Sequence, residues 1–400
     1  MSIDALIRAA NREDAQVPQY KLPDLFTFRD GRIVNTVALW RERREELLAL
    51  FTESMYGHVP QCPVEQRATV VWKAGDFLEG LASASEIDLL LRTRHGAVTV
   101  RVLVVVPNGL TAAAPVFLGY NFYGNATVSM DPRITLGDTF VRNELAGVEA
   151  NRLTESGRGG EAHRWPLEFL IRRGYAVVTA CMGALAPDSP EHWRDGAARL
   201  FPSDESSSAG GAIAWWAWGL RQLMDYIVGD TRLDAQRVTV IGHSRLGKAA
   251  LWAGAQDERF ARVISNNSGC GGASLARRRL GETVEIINAI FPYWFCRNYH
   301  AYGQNVNSLP IDQHALLALV APRQLHVASA SEDWWADPRG EFLAAREASA
   351  AYRLYGKQGL TEDQTQADVS GNDCTIGGSV RYHRRTGKHD LLLADWERYV

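Results

Sequence analysis

The chain has 400 residues, of which 46% are hydrophobic and 22% charged, so it can bury a large core and does not read as disordered. A formal charge of −3 with no dense Lys/Arg run excludes a nucleic-acid role, since Arg277-Arg278-Arg279 alone reads as a solvated or ion-paired face. Five cysteines (Cys62, Cys181, Cys270, Cys296 and Cys374) are odd in number and without CxxC spacing, so no zinc site or disulfide framework is expected, although one bridge is possible.

Met1 to Arg8 turns polar at once, which gives neither a signal peptide nor a membrane span in the sequence as written. Residues 1–60 read as an N-terminal arm and helix packed on a main body, and residues 61–400 as one catalytic domain. The arm runs through Gln19–Phe26, and Trp40, Leu47, Leu48 and Phe51 recur at helical spacing in a helix that ends around Tyr56-Gly57.

Ala68–Trp72, Ile87–Arg92 and Val98–Val106 are strand-like runs with no helix between them, which predicts an antiparallel start to the sheet. Pro115–Tyr120 is the next strand, and Asn121–Asn125 leaves it as a loop that can supply an oxyanion amide or serve as a surface turn. Ala126–Gly160 lacks periodicity, and Glu155–Gly160 reads as an exposed loop. A helix begins at Arg164–Ile171 and leads into the strand Gly174–Ala180. Later strands at Arg237–Gly242, Arg262–Asn266 and Gln324–Ser329 are flanked by helix signals, which predicts a mostly parallel, doubly wound α/β sheet. The apolar helix at Gly211–Leu220, rich in tryptophan, is expected to pack in the core. No repeat, GxGxxG, P-loop or HExxH is present, and no cofactor or metal is expected.

The chemistry centres on Val238–Leu251, where a β-branched run stops at Gly242, Ser244 follows, and small apolar residues resume at helical spacing. Strand, sharp turn and helix in that order hold a serine hydroxyl clear of the sheet, with helix-opening amides where an acyl oxyanion forms. Ser244 reads as a nucleophile or as the N-cap of an ordinary turn, and Leu246 stands where the last glycine of G-x-S-x-G belongs, with Gly247 one place later. A serine nucleophile needs a base and an acid, which in α/β hydrolases follow it in the order acid, then histidine. Asp333 beyond the strand Gln324–Ser329 and His389 in Thr386–Asp390 fit that order, although either residue alone reads as a helix cap or a solvated loop histidine.

Gly242–Lys248, Asn121–Asn125, Arg164-Trp165-Pro166, Ser268–Ala273, Asp312-Gln313-His314, Ala321-Pro322-Arg323 and Gly387–Asp390 together resemble the glucuronoyl esterases of carbohydrate esterase family 15, in their bacterial form. The resemblance implies an α/β-hydrolase fold and a metal-independent serine esterase that cleaves glucuronate esters linking glucuronoxylan to lignin alcohols. It implies Ser244 as nucleophile, His389 as base, Arg245 as oxyanion support, and Lys248, Glu282 and Trp335 as sugar contacts. Arg245 reads otherwise as a structural ion pair, and Lys248 as a helix-surface charge. Such a polymer substrate implies secretion or export to the periplasm, which the sequence as written does not itself signal, so the compartment stays open; a monomer with no nucleic-acid or membrane partner is expected.

Three departures stand out. His243 replaces the cysteine that precedes the serine in many fungal members, so the associated disulfide is absent. Asn267 stands where many members carry the triad glutamate; the acid is then expected among Glu332, Asp333 and Asp337, with Asp333 preferred and Asp337 starting the next helix. The segment Cys181–Asp188 lacks the polar residues expected in that loop. Acetyl-xylan esterase activity and a catalytically silent carbohydrate-binding role are the alternatives.

Overall fold

The computed structural model describes residues 2–364 and 375–400. The strands β1 (Glu65–Phe77), β2 (Ala82–Thr93) and β3 (Gly96–Pro107) follow one another through short turns and pair antiparallel. After β4 (Ala114–Asn121), a small separate hairpin is made by β5 (Val148–Glu149) and β6 (Arg152–Leu153). The remaining strands are β7 (Ala176–Cys181), β8 (Leu233–His243), β9 (Arg262–Asn266), β10 (Gln324–Ala330), β11 (Thr375–Gly377) and β12 (Val380–Arg385).

Ten strands form one sheet in the order β1-β2-β3-β7-β4-β8-β9-β10-β12-β11. Pairing is parallel from β7 through β12 and antiparallel at both ends, which is the mixed, mostly parallel sheet expected of an α/β hydrolase. Both faces of the central strands are covered, while the edge strand β1 is largely exposed. Along β3, Val102, Val104 and Val106 enter one core cluster while Leu103 and Val105 enter the other, as the two-residue period of a strand requires.

The tryptophan-rich helix, Ala212–Gly229, buries Trp215, Trp216 and Trp218 in the larger cluster, and Trp216 donates its indole N–H to the Ala186 carbonyl at 2.9 Å. Its aromatic residues are therefore packing, where truncating a buried tryptophan costs about 3–5 kcal/mol. Leu25, Phe28, Val34 and Trp40 of the N-terminal segment join the same cluster, and the helix Val37–Phe51 continues through one π-helical turn to Gly57.

Three details differ from the sequence reading. The strand β12 was not anticipated. The 155–160 loop is not uniformly exposed, because the Arg158 side chain is buried beneath it and donates to the Asp131 and Ile134 carbonyls at 3.0 and 2.7 Å. Arg277 and Arg278 are ion-paired, as one option for this run had it, but buried instead of lying on a face, with Asp312 at 3.2 Å and Asp337 at 2.7 Å. Among the described cysteines, Cys62, Cys181, Cys270 and Cys296 are free; Cys374 lies outside the described residues.

Candidate active site

Four neighbouring strands deliver the candidate residues at their carboxyl ends, where sheets of this kind bind ligands. Ser244 follows β8, Asn267 follows β9, Asp333 follows β10, and His389 lies beyond β12.

Ser244 occupies a strained turn with φ 57° and ψ −130°, between β8 and the helix Arg245–Gln256. Such strain in a non-glycine residue persists where the surroundings over-determine it, and it is a hallmark of a nucleophile elbow. Its side chain makes no capping hydrogen bond to the helix, which removes the reading as an ordinary N-cap. The turn is tight enough that a Cβ on Gly242 would sit 2.0 Å from the Leu246 carbonyl oxygen. A Cβ on Gly247 would meet Ser268 Cβ at 2.9 Å and the Gly242 carbonyl oxygen at 3.0 Å, so Gly247 supplies the close approach despite its displacement by one residue.

His389 is half exposed, and its Nδ1 lies 2.6 Å from Asp333 Oδ2. Its ring centroid is 4.6 Å from that of His243, the residue before Ser244. The Asn267 side-chain amide donates to the same Asp333 oxygen at 3.0 Å. Burial acts to raise the Asp333 carboxyl, but His389 and Asn267 outweigh it and hold the group below the ordinary carboxylate range. Of the neighbouring acids, Glu332 is exposed, and Asp337 pairs with Arg278 and caps the helix Pro338–Leu354 through the Gly340 amide at 3.0 Å. His243 is buried with Nδ1 2.7 Å from Asn266 Oδ1, and burial, with the charges of His389 and Arg164, pushes its imidazole well below the usual range.

The Arg245 guanidinium is largely buried. It pairs with Asp188 and lies 3.7 Å from Glu144, with the Phe122 and Trp294 rings 5.5 and 5.4 Å away. Asp188 also accepts from Tyr293 Oη at 2.7 Å and Trp294 Nε1 at 2.8 Å. Burial would raise this carboxyl, yet Arg245 and the two donors together hold it low. The ion pair read as one option for Arg245 is thus formed, and it fixes a permanent positive charge one residue after Ser244. Asp188, Tyr293 and Trp294 escaped sequence reasoning. Asp188 had a signal, since it follows β7 and so belongs to the same carboxyl-end surface.

Lys248 is buried, which excludes a helix-surface charge. Its ammonium donates to the carbonyls of Ser268 at 2.7 Å and Cys270 at 2.6 Å, and lies 3.6 Å from Glu282. The Glu282 backbone N–H donates to the Trp335 carbonyl at 2.9 Å, so Lys248, Glu282 and the half-buried Trp335 form one group. Burial raises the Glu282 carboxyl against the opposing charge of Lys248. In the Asn121–Asn125 loop the Gly124 amide is already bonded to Asn121 Oδ1 at 2.8 Å, and the Phe122 ring packs beside Arg245.

An activatable hydroxyl, an imidazole backed by a carboxylate, and a fixed cation are the parts required for acyl transfer through an oxyanion. Among the described residues, no cluster of three His, Cys, Asp or Glu side chains is arranged for a metal, and no helix is long and apolar enough to cross a membrane.

Comparison with known proteins identifies the family. A family model described as "Glucuronyl esterase, fungi" matches residues 165–356. Carbohydrate esterase MZ0003, from an unknown prokaryotic organism, is 43% identical over 398 residues, covering 98% of this chain and 91% of that protein. The 4-O-methyl-glucuronoyl methylesterase of Schizophyllum commune is 27% identical over 391 residues, covering 93% and 84%. A solved CE15 esterase from a marine bacterial metagenome, described as promiscuous, superposes with a TM-score of 0.89 at 40% identity over 98% of both chains. The glucuronoyl esterase from Solibacter usitatus gives a TM-score of 0.89 at 39% identity, covering 97% of this chain and 98% of that one. With the α/β-hydrolase sheet, the strained Ser244 turn and relatives of this identity along nearly its whole length, the chain is a carboxylic ester hydrolase and belongs to carbohydrate esterase family 15, the glucuronoyl esterases.

Proposed function

We propose that this esterase cleaves esters of glucuronic acid, including those joining 4-O-methylglucuronate side chains of xylan to lignin alcohols. The observation that carries the mechanism is the 2.6 Å contact between His389 Nδ1 and Asp333, formed at adjacent strand ends beside the Ser244 elbow. Ser244 attacks the ester carbonyl as His389 takes its proton. The negative oxygen that develops is stabilised by amides at the start of the helix and by the Arg245 charge. His389 then protonates the departing alcohol, and water, activated by the same imidazole, releases the glucuronate from the serine.

In a glucuronate ester the sugar is the acyl portion, so it must sit beside the nucleophile. Lys248 lies one helical turn beyond Ser244, and with Glu282 and Trp335 it forms a polar wall with an aromatic edge suited to a sugar ring. Similarity to a 4-O-methyl-glucuronoyl methylesterase and to the glucuronyl esterase family favours this substrate over acetylated xylan and over a silent binding role.

The test is turnover of a methyl glucuronate ester against an acetyl-xylose ester, with Ser244→Ala as control. Preference for the glucuronate ester, abolished in Ser244→Ala, is expected. Preference for the acetyl ester would overturn the substrate class, and undiminished turnover in Ser244→Ala would overturn the nucleophile.

A further inference from the structure

His389 belongs to a loop, Thr386–Leu392, that lies between β12 and the helix Leu393–Tyr399. A loop offers no ladder of its own to fix an imidazole. Yet general-base catalysis needs that ring held to a fraction of an ångström.

The hold comes from Arg385, the last residue of β12, whose side chain is 1% exposed. Its Nη2 donates at 2.6 Å to the Lys388 carbonyl and at 2.6 Å to the Asp390 carbonyl, the residues immediately before and after His389. Nη1 reaches the Thr386 carbonyl at 3.3 Å. Gly387 has φ 112°, and a Cβ there would approach Arg385 Nη1 to 3.3 Å, so the loop wraps closely over the guanidinium.

The guanidinium is itself anchored. Its Nε donates to Asp395 Oδ2 at 2.9 Å, and that oxygen also accepts the Leu392 amide at 2.8 Å, so one carboxylate closes both ends of the loop. The other Asp395 oxygen lies 3.0 Å from His383 Nε2, and His383 Nδ1 lies 2.8 Å from His326 Nε2 on the adjacent β10. Asp395, His383 and His326 are all fully buried. Burial pushes both imidazoles below their usual range, consistent with a chain of neutral rings that ends on the carboxylate. The same loop is stitched to the Asp333 loop. Ser331 N–H donates to the Arg385 carbonyl at 2.9 Å and Glu332 N–H to the Gly387 carbonyl at 2.9 Å.

We propose that Arg385 is a positioning residue for His389: it gathers the main-chain carbonyls flanking the histidine and, through Asp395, ties that loop to the final helix so that the imidazole meets Asp333. The planar fork matters, because Asp395 and the two carbonyls are met by different nitrogens, Nε and Nη2, held apart by the guanidinium plane, a spread that the single nitrogen of an ammonium does not reproduce. The proposal rests on the reading of His389 as the base.

The experiment measures kcat and KM on a methyl glucuronate ester, together with thermal unfolding, for Arg385→Ala, Arg385→Lys and Asp395→Asn. His389→Ala serves as control. A displaced base is expected to lower kcat by about 10²-fold, the scale of an ångström-sized misplacement. KM should change less than about twofold, because the sugar wall is untouched. Millimolar guanidinium is expected to restore part of the lost kcat in Arg385→Ala and none in His389→Ala.

A folded Arg385→Ala or Arg385→Lys with parental kcat overturns the proposal, as does a loss confined to KM. If neither arginine variant folds, Asp395→Asn decides, since it keeps the side-chain outline while losing an acceptor; parental kcat in that variant also overturns it. Parental turnover in His389→Ala would instead defeat the base assignment, and the positioning role with it. An inactive His389→Ala beside a fully active Arg385→Lys defeats the positioning role alone.

Discussion

Asp333 and His389 meet at 2.6 Å across two strand-end loops, and Asn267 fills the second side of the same carboxylate oxygen at 3.0 Å. The carboxylate beside His389 thus comes from the loop after β10, while the loop after β9 supplies a neutral amide that holds it. Asp333→Asn is expected to lower kcat by about 10⁴-fold, as loss of a triad acid does. Asp337→Asn should instead lower thermal stability with kcat largely kept, because its carboxylate is engaged by Arg278 and Gly340. Asn267→Asp should retain substantial turnover near neutral pH while losing stability as pH rises, since two carboxylates then face each other. Steady-state kinetics and melting curves on the three variants check this; near-parental kcat in Asp333→Asn would falsify the assignment.

The fold was legible in the sequence wherever hydrophobic periodicity is strong. The β-branched runs of β3 and β8 and the glycine-serine turn between β8 and its helix announce themselves. The strand β12 was not legible, because Val-Arg-Tyr-His-Arg-Arg reads as a charged surface segment, and its burial becomes reasonable only once Asp395 is seen to hold His383 and Arg385. The same limit hid Asp188. An isolated aspartate in an apolar loop carries no periodic signal, and its meaning lies in Arg245, 57 positions away. Chain order placed Ser244, Asp333 and His389 in sequence, but only the parallel pairing of β8, β9, β10 and β12 makes them neighbours.

The buried Arg245–Asp188 pair makes a second prediction. Arg245→Ala is expected to lower kcat by about 10²-fold with little change in KM, the loss typical of one oxyanion donor. Asp188→Asn should lower kcat as well, because it frees the guanidinium from the place where Tyr293 and Trp294 help to fix it. The Asp188 carboxyl is held low in the fold, so its stabilising effect is present above its unfolded value of 3.8 and fades as pH falls through the lower folded value. Parental kcat with a raised KM in Arg245→Ala would move this residue to substrate positioning.

Lys248 and Glu282 lie 3.6 Å apart with side chains 5% and 8% exposed, so removing either leaves the other's charge stranded. Lys248→Met is expected to cost about 3–5 kcal/mol, the range for breaking one side of a buried pair. Glu282→Gln should cost less and raise KM for the glucuronate ester. The double variant should recover part of the Lys248→Met loss, which urea titration of all four proteins measures as a coupling energy. Strict additivity would show that the two groups do not act on each other.

The last prediction concerns Glu341, a fully buried carboxyl beneath the loops that carry Asn267 and Asp333. One oxygen accepts the Gly269 amide at 2.9 Å and the Ser268 hydroxyl at 3.4 Å, and the other accepts the Ser329 hydroxyl at 2.6 Å. Burial pushes this carboxyl up to about 8 from an ordinary 4.5; the Ser329 and Gly269 hydrogen bonds oppose the rise and the nearby Asp333 charge adds to it. Between those two values the folded protein keeps a proton that the unfolded chain has released. Folding is therefore progressively disfavoured as pH rises from 4.5 towards 8, and the effect levels off above 8. Glutamine has no proton to lose and keeps one of the two acceptor oxygens. Glu341→Gln should thus be no more stable than the parent near the acid end of the window, but should show a flatter stability profile and gain on the parent above its upper end. Urea unfolding of both proteins at about pH 5, 7 and 9 measures this directly. A variant that loses the same stability at all three values, with the parental slope intact, would show that Glu341 is already ionised in the fold and that its hydrogen bonds, not its proton, are what the Asn267 loop depends on.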